Sequence, residues 1–192
     1  MTMKKRLGVF AVIILIMSLH TGCVEHQKDD SLDLSLFGLE TDDVPTDFQK
    51  LNEQHITEPY TVSEGKLFEG LQIDQKYEVY YIKNVSVFLI QQIAFLNSEE
   101  DISIFMDMLS SNTSIPGLQD DWSFSEISIP RFGDESVLLK NQTEIDGNST
   151  TIFLLAFHVD EVVNIFVSAS VEKEILLQYA ELTEQRIKND MS

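Results

Sequence analysis

The chain has 192 residues and carries 32 Asp and Glu against 13 Lys and Arg, a formal net charge of −19. A field of that sign repels phosphate backbones and anionic head groups, which excludes nucleic acid as a partner. A single cysteine excludes an intramolecular disulfide, so stability has to come from an apolar core, and 43% hydrophobic residues are enough to build one.

Met1 to Arg6 holds Lys4, Lys5 and Arg6 and no acid, and an apolar run follows from Leu7 to Leu19. A positive start before a short apolar core is the layout of a secretory signal. The run has 13 residues, short of the roughly 20 that a spanning helix needs. Export is therefore expected, with the basic end kept in the cytoplasm. Leu19-His20-Thr21-Gly22-Cys23 resembles the lipobox of prokaryotic lipoproteins. That resemblance implies a diacylglyceryl group on Cys23, which would become the first mature residue on the outer face of the cell membrane. Thr21 and Gly22 fit the pattern, while His20 stands where the family usually has leucine. Two acyl chains anchor stably, at about 0.8 kcal/mol per buried methylene. The neighbours of Cys23 include Glu25, Asp29 and Asp30 and no basic patch, so the membrane contact would rest on lipid alone. Without residues 1–22, 10 basic residues face 32 acids, a formal charge of −22.

Residues 23–43 are polar and acidic and lack a clear period, and they are read as a flexible tether. At roughly 5–6 Å × √n it would reach about 25 Å. A single globular domain is expected over residues 44–192. Leu51–Ile56 forms a first strand, and Tyr77–Ile82 and Val85–Phe95 form a hairpin about Asn84. Ser98 caps a helix whose first turn holds Glu99, Glu100 and Asp101 and whose apolar face holds Ile102, Phe105, Met106 and Leu109. Strands follow at Phe124–Ile129, Ser136–Asn141, Thr150–Phe157 and Val162–Ser168, with turns at 130–134, 146–149 and 158–161. Ser170 is expected to cap a last helix through about Lys188, with Ile175, Leu176, Tyr179, Leu182 and Ile187 on its apolar side. The order β-β-β-α-β-β-β-β-α with short turns defines an α+β fold: an antiparallel sheet of six to seven strands with an apolar face covered by two amphipathic helices.

Phe132-Gly133-Asp134-Glu135-Ser136, followed by Val162-Val163-Asn164-Ile165-Phe166-Val167 and a closing helix, resembles small exported domains of the Mog1/PsbP-like type over residues 44–189. The resemblance implies a binding or assembly factor rather than an enzyme, by analogy of fold.

The residues themselves offer little chemistry. His20 leaves with the signal, His26 lies in the tether, and His55 and His158 are isolated in sequence. His158 with Asp160 and Glu161 has a hint of ligand spacing but reads as a turn, so no zinc site is expected. There is no Gly-x-Ser-x-Gly elbow, the eight glycines are spread singly, and Cys23 is committed to lipid. Asp120-Asp121 and Asp134-Glu135 offer oxygen ligands without the EF-hand order. Asp134 reads better as a turn residue bonding nearby N–H groups. Trp122, Phe124 and Phe132 line either a pocket or the core. Sequons at Asn84, Asn112, Asn141 and Asn148 are candidate glycosylation sites, the last two flanking a predicted turn.

The leading expectation is a lipid-anchored, non-enzymatic binding or assembly module with no cofactor and a protein partner. A hydrolase-type enzyme using distant acids with His158, or a cation- or solute-binding lipoprotein, is the alternative.

Overall fold

The computed structural model describes residues 32–63, 67–111, 123–145 and 147–191. The lipobox with Cys23, the sequon at Asn112 and Trp122 fall outside these. A 3-10 turn, Leu34–Phe37, leads into β1 (Gln49–Ile56), β2 (Tyr60–Thr61), β3 (Gln72–Ile73), β4 (Gln75–Asn84) and β5 (Val87–Phe95). Next come α1 (Glu99–Ser111), β6 (Ser125–Ile127), β7 (Glu135–Ile145), β8 (Asn148–Val159), β9 (Val162–Ala169) and α2 (Lys173–Asp190). Seven strands form one antiparallel sheet in the order β1-β4-β5-β9-β8-β7-β6, and β2 pairs only with β3. The expected α+β class and antiparallel sheet are present. The β2–β3 pair was not foreseen, because two residues per strand are too few to show a period.

Alternation along the strands divides the core in two. Ile90 and Ala94 of β5 face one side with Ile165 and Val167 of β9. Leu89 and Ile93 face the other with Phe166. Helix α1 buries Ile102, Phe105, Met106 and Leu109 on the first face, where Phe68 stacks on Phe105 at 4.6 Å. Helix α2 buries Leu176, Tyr179, Ala180 and Ile187 on the second. The two helices therefore do not share one apolar face, as the sequence suggested; each covers its own. All eight residues of β9 are buried, a double coverage more usual in parallel sheets.

Ser98 acts as foreseen, its Oγ accepting from Asp101 N–H at 3.2 Å. Ser170 does not cap α2. Its φ of +54° turns the chain, its N–H donates to Thr151 O at 2.9 Å, and the helix starts two residues later, after Glu172.

The boundary expected at Val44 also moves. Residues 32–43 are a packed strap, with Leu34, Phe37 and Leu39 between 0% and 4% exposed. The physical reason is the three-residue repeat of a 3-10 turn, which puts Leu34 and Phe37 on the same side. Asp33 caps that turn by accepting from Ser35 N–H at 3.1 Å. Leu39 is then fixed from both sides. Its N–H donates to Gln91 Oε1 and its carbonyl accepts from the Tyr81 hydroxyl, each at 2.7 Å. Arg186 of α2 donates to Gly38 O and pairs with Asp43 at 3.0 Å. A Cβ on Gly38 would run into the Tyr77 ring, so only glycine lets the strap lie this close.

Phe37→Ala should lower unfolding free energy by about 3–5 kcal/mol, the usual cost of emptying a buried phenylalanine site. Urea titration of both forms checks this, since a solvated tether residue would show almost no change.

Candidate functional site

Strand β4 places Lys76, Glu78 and Tyr80 on the first face at spacings of two, with Tyr80 in the α1-side core. The ladder sets Glu78 opposite Gln54 of β1 and Gln92 of β5. Three donors converge on one oxygen, Glu78 Oε1: Lys76 Nζ at 2.9 Å, Gln92 Nε2 at 2.5 Å and the Tyr80 hydroxyl at 3.1 Å. Glu78 is 1% exposed, and Lys76 and Gln92 are each 7% exposed. Glu78 Oε2 and Gln92 Oε1 are buried and have no hydrogen-bond donor. Tyr60 of β2 packs against the same core. Burial, and after it the negative charge of Glu78, push the Tyr60 and Tyr80 phenols well above their ordinary range.

A buried ion pair is weak support for stability, since desolvating two charges costs several kcal/mol per ion. The ladder sets Ala94 opposite Lys76 and Ile90 opposite Tyr80 on the same face, so apolar side chains would fit there. A charged, half-satisfied cluster in such a place is the strongest candidate for function among the described residues. No motif announced it. The only signals are an acid inside the aromatic run Tyr77–Tyr81 and the Gln91-Gln92 pair inside the apolar run of β5.

The other glutamine of that pair serves architecture. Gln91 on the second face donates to Asn164 Oδ1 at 2.9 Å and Thr183 Oγ1 at 3.2 Å while accepting from Leu39. That network joins sheet, α2 and strap.

Asp134 and His158 are brought together, but as a clasp between two turns. Asp134 N–H donates to His158 O, and Asp160 N–H donates to Asp134 Oδ2, both at 2.8 Å. His158 Nδ1 lies 3.1 Å from Asp160 O and 3.9 Å from Asp134 Oδ2. Gly133 has φ +57° and touches His158 O so closely that no Cβ could be accommodated. Among the described residues, no group of three or more His, Cys, Asp or Glu could hold a metal ion. Phe124 and Phe132 belong to opposite cores, so they line no common pocket.

Of the sequons, Asn84 and Asn148 are exposed. Asn141 is 6% exposed and donates to Ser123 O at 2.6 Å, which removes it as an accessible acceptor. Strand β7 runs on to Ile145, so Asn141 sits mid-strand and not beside the turn.

No family model matches the chain, and no curated protein sequence does. Among solved structures it is similar to the extracellular domain of PknH from Mycobacterium tuberculosis, with a TM-score of 0.59 and 10% identity. The match covers 81% of this chain and 94% of that one. At that identity the likeness is one of fold. Among the described residues, no helix is long and apolar enough to cross a membrane.

Removing one partner of the ion pair should cost more than removing both. Glu78→Leu alone leaves Lys76 buried and uncompensated, an expected loss of about 3–5 kcal/mol, whereas Glu78→Leu with Lys76→Met should recover most of it. Urea unfolding of the single and double variants measures the difference.

All five tyrosines have phenol pKa values raised by burial, Tyr81 to about 12. The folded chain thus keeps protons that the unfolded chain releases above pH 10. Stability is intact below that pH and falls as pH rises, by up to about 1.4 kcal/mol per unit for each tyrosine. Alkaline titration of phenolate absorbance should show ionisation delayed until the chain unfolds.

Proposed function

We propose that this chain is a binding or assembly module on the outer face of the cell membrane, anchored by lipid on Cys23, Mog1/PsbP-like in layout, and without a catalytic step of its own. The observation that carries the reading is the basic start, short apolar run and lipobox, with eight residues between Cys23 and the start of the packed strap at Leu32. Eight residues span at most about 30 Å when extended, which would hold the domain close to the bilayer. The fold's likeness to an extracellular domain agrees with that placement.

The hydrolase-type alternative loses its motivation. His158, Asp134 and Asp160 already satisfy one another in the clasp, where they join two turns. Where an oligosaccharyltransferase operates, Asn84 and Asn148 are the accessible acceptors among the described residues. The partner in this reading is a protein or a small solute, never a nucleic acid, because the mature chain's formal charge of −22 opposes it.

In a prokaryotic host, Cys23→Ser should abolish incorporation of labelled fatty acid. It should also move the protein from the membrane to the soluble fraction or leave it as unprocessed precursor. Identical fractionation and labelling of mutant and wild type would sink the anchor.

A further inference from the structure

We infer that Asn84 is a glycan acceptor and Asn148 is not: of the two exposed sequons among the described residues, only Asn84-Val85-Ser86 offers both its amide and its hydroxyl to a transferase. The donor class is a lipid-phosphate-linked oligosaccharide. A sequon is two functional groups, the asparagine amide that takes the sugar and the hydroxyl two residues on that makes the tripeptide recognisable. Exposure of the asparagine meets half of that requirement, and the fold decides the other half.

Asn84 ends β4, and Val85 and Ser86 form the turn before β5. The pairing shifts after Ile82, so that Asn84 stands opposite Val87 at the tip of the hairpin. Asn84 and its neighbour Lys83 are exposed, and Ser86 is half-buried. Asn84 Oδ1 accepts from Ser86 N–H at 2.9 Å. This Asx turn engages neither Nδ2 nor the Ser86 hydroxyl, and it holds the two residues side by side. Asn148 lies instead within the ladder, opposite Ile145. Strand alternation turns Thr150, two residues on, toward the first face with Ile152. Thr150 is 2% exposed, and its Oγ1 donates to Asn148 O at 3.3 Å. A transferase would have to peel the start of β8 from the sheet to reach that hydroxyl.

In the transfer, Asn84 Nδ2 attacks the anomeric carbon of the oligosaccharide. A C–N bond forms as the C–O bond to phosphate breaks. The lipid phosphate leaves with that electron pair, and Nδ2 gives up one proton to a base of the transferase. The product amide keeps Oδ1, so the bond to Ser86 N–H survives and the hairpin is undisturbed.

The inference rests on the proposed reading only for export to the compartment where such a transferase works. The test is therefore run in solution, where the anchor plays no part. Purified, folded full-length chain carrying Asn112→Gln is incubated with a single-subunit oligosaccharyltransferase and a synthetic lipid-pyrophosphate oligosaccharide. Intact mass and peptide mapping read the products. A single glycan is expected, on Asn84. Ser86→Ala, which keeps the backbone bond of the turn, should abolish transfer, Ser86→Thr should retain it, and Asn148→Gln should leave the yield unchanged. Transfer to Asn148 as fast as to Asn84 overturns the proposal. So does a folded chain left unmodified at Asn84 by a transferase that glycosylates a synthetic peptide of residues 80–88. Mapping of Asn84 against Asn148 stands even if a Ser86 variant fails to fold. Failure here with membrane fractionation unchanged removes the acceptor and keeps the anchor.

Discussion

Both faces of the central strands are apolar, and the rest of the molecule follows from having to cover them. Strands β5 and β9 lie side by side in the middle of the sheet and bury side chains in both directions. An antiparallel sheet of this kind cannot leave one side to water, so two independent layers are required. On the first face α1 supplies one layer, extended by the excursion that includes Phe68 and Ile73. On the second, α2 is extended by the strap. Neither helix is wide enough alone to shield seven strands. This is why segments outside the sheet and the two long helices contribute some of the most deeply buried side chains, Phe37 and Phe68 among them.

The polar residues inside these layers are of two kinds. Gln91, Asn164 and Thr183 join elements that have to meet, and their bonds run between sheet, helix and strap. Lys76, Glu78 and Gln92 lie on neighbouring positions of two strands that the ladder already holds in register, so their bonds add little to the architecture. A carboxylate with three donors on one oxygen and none on the other is poorly explained as a structural device.

Much of the strand and helix order was legible in the sequence because it is written in local chemistry. Ser98 and the acids behind it marked the start of α1, and the apolar runs marked β4, β5 and β9. What was not legible depends on pairing across the sheet. Which face Glu78 occupies is set by its register with Gln92, and nothing near either residue encodes that register. Asn141 looked like a turn residue because β7 was read four residues too short. The strap was read as a tether because Leu34, Phe37 and Leu39 are sparse among acids; their burial depends on Tyr81, Gln91 and Arg186, which lie far along the chain. His158 and Asp134 do meet, in a clasp that joins two turns.

The strap also decides how the domain responds to force. Tension applied through the N-terminal end reaches residues 32–44 before it reaches the sheet. Leu34 and Phe37 would be peeled out first, then the bonds to Leu39 and the Arg186 contacts, each a small separate step. Only after Asp43 leaves Arg186 would the load arrive at β1, which is joined to β4 by a ladder of many simultaneous bonds. The strap is placed to act as a mechanical fuse: it lengthens the connection by about a dozen residues under strain and leaves the cluster around Glu78 intact.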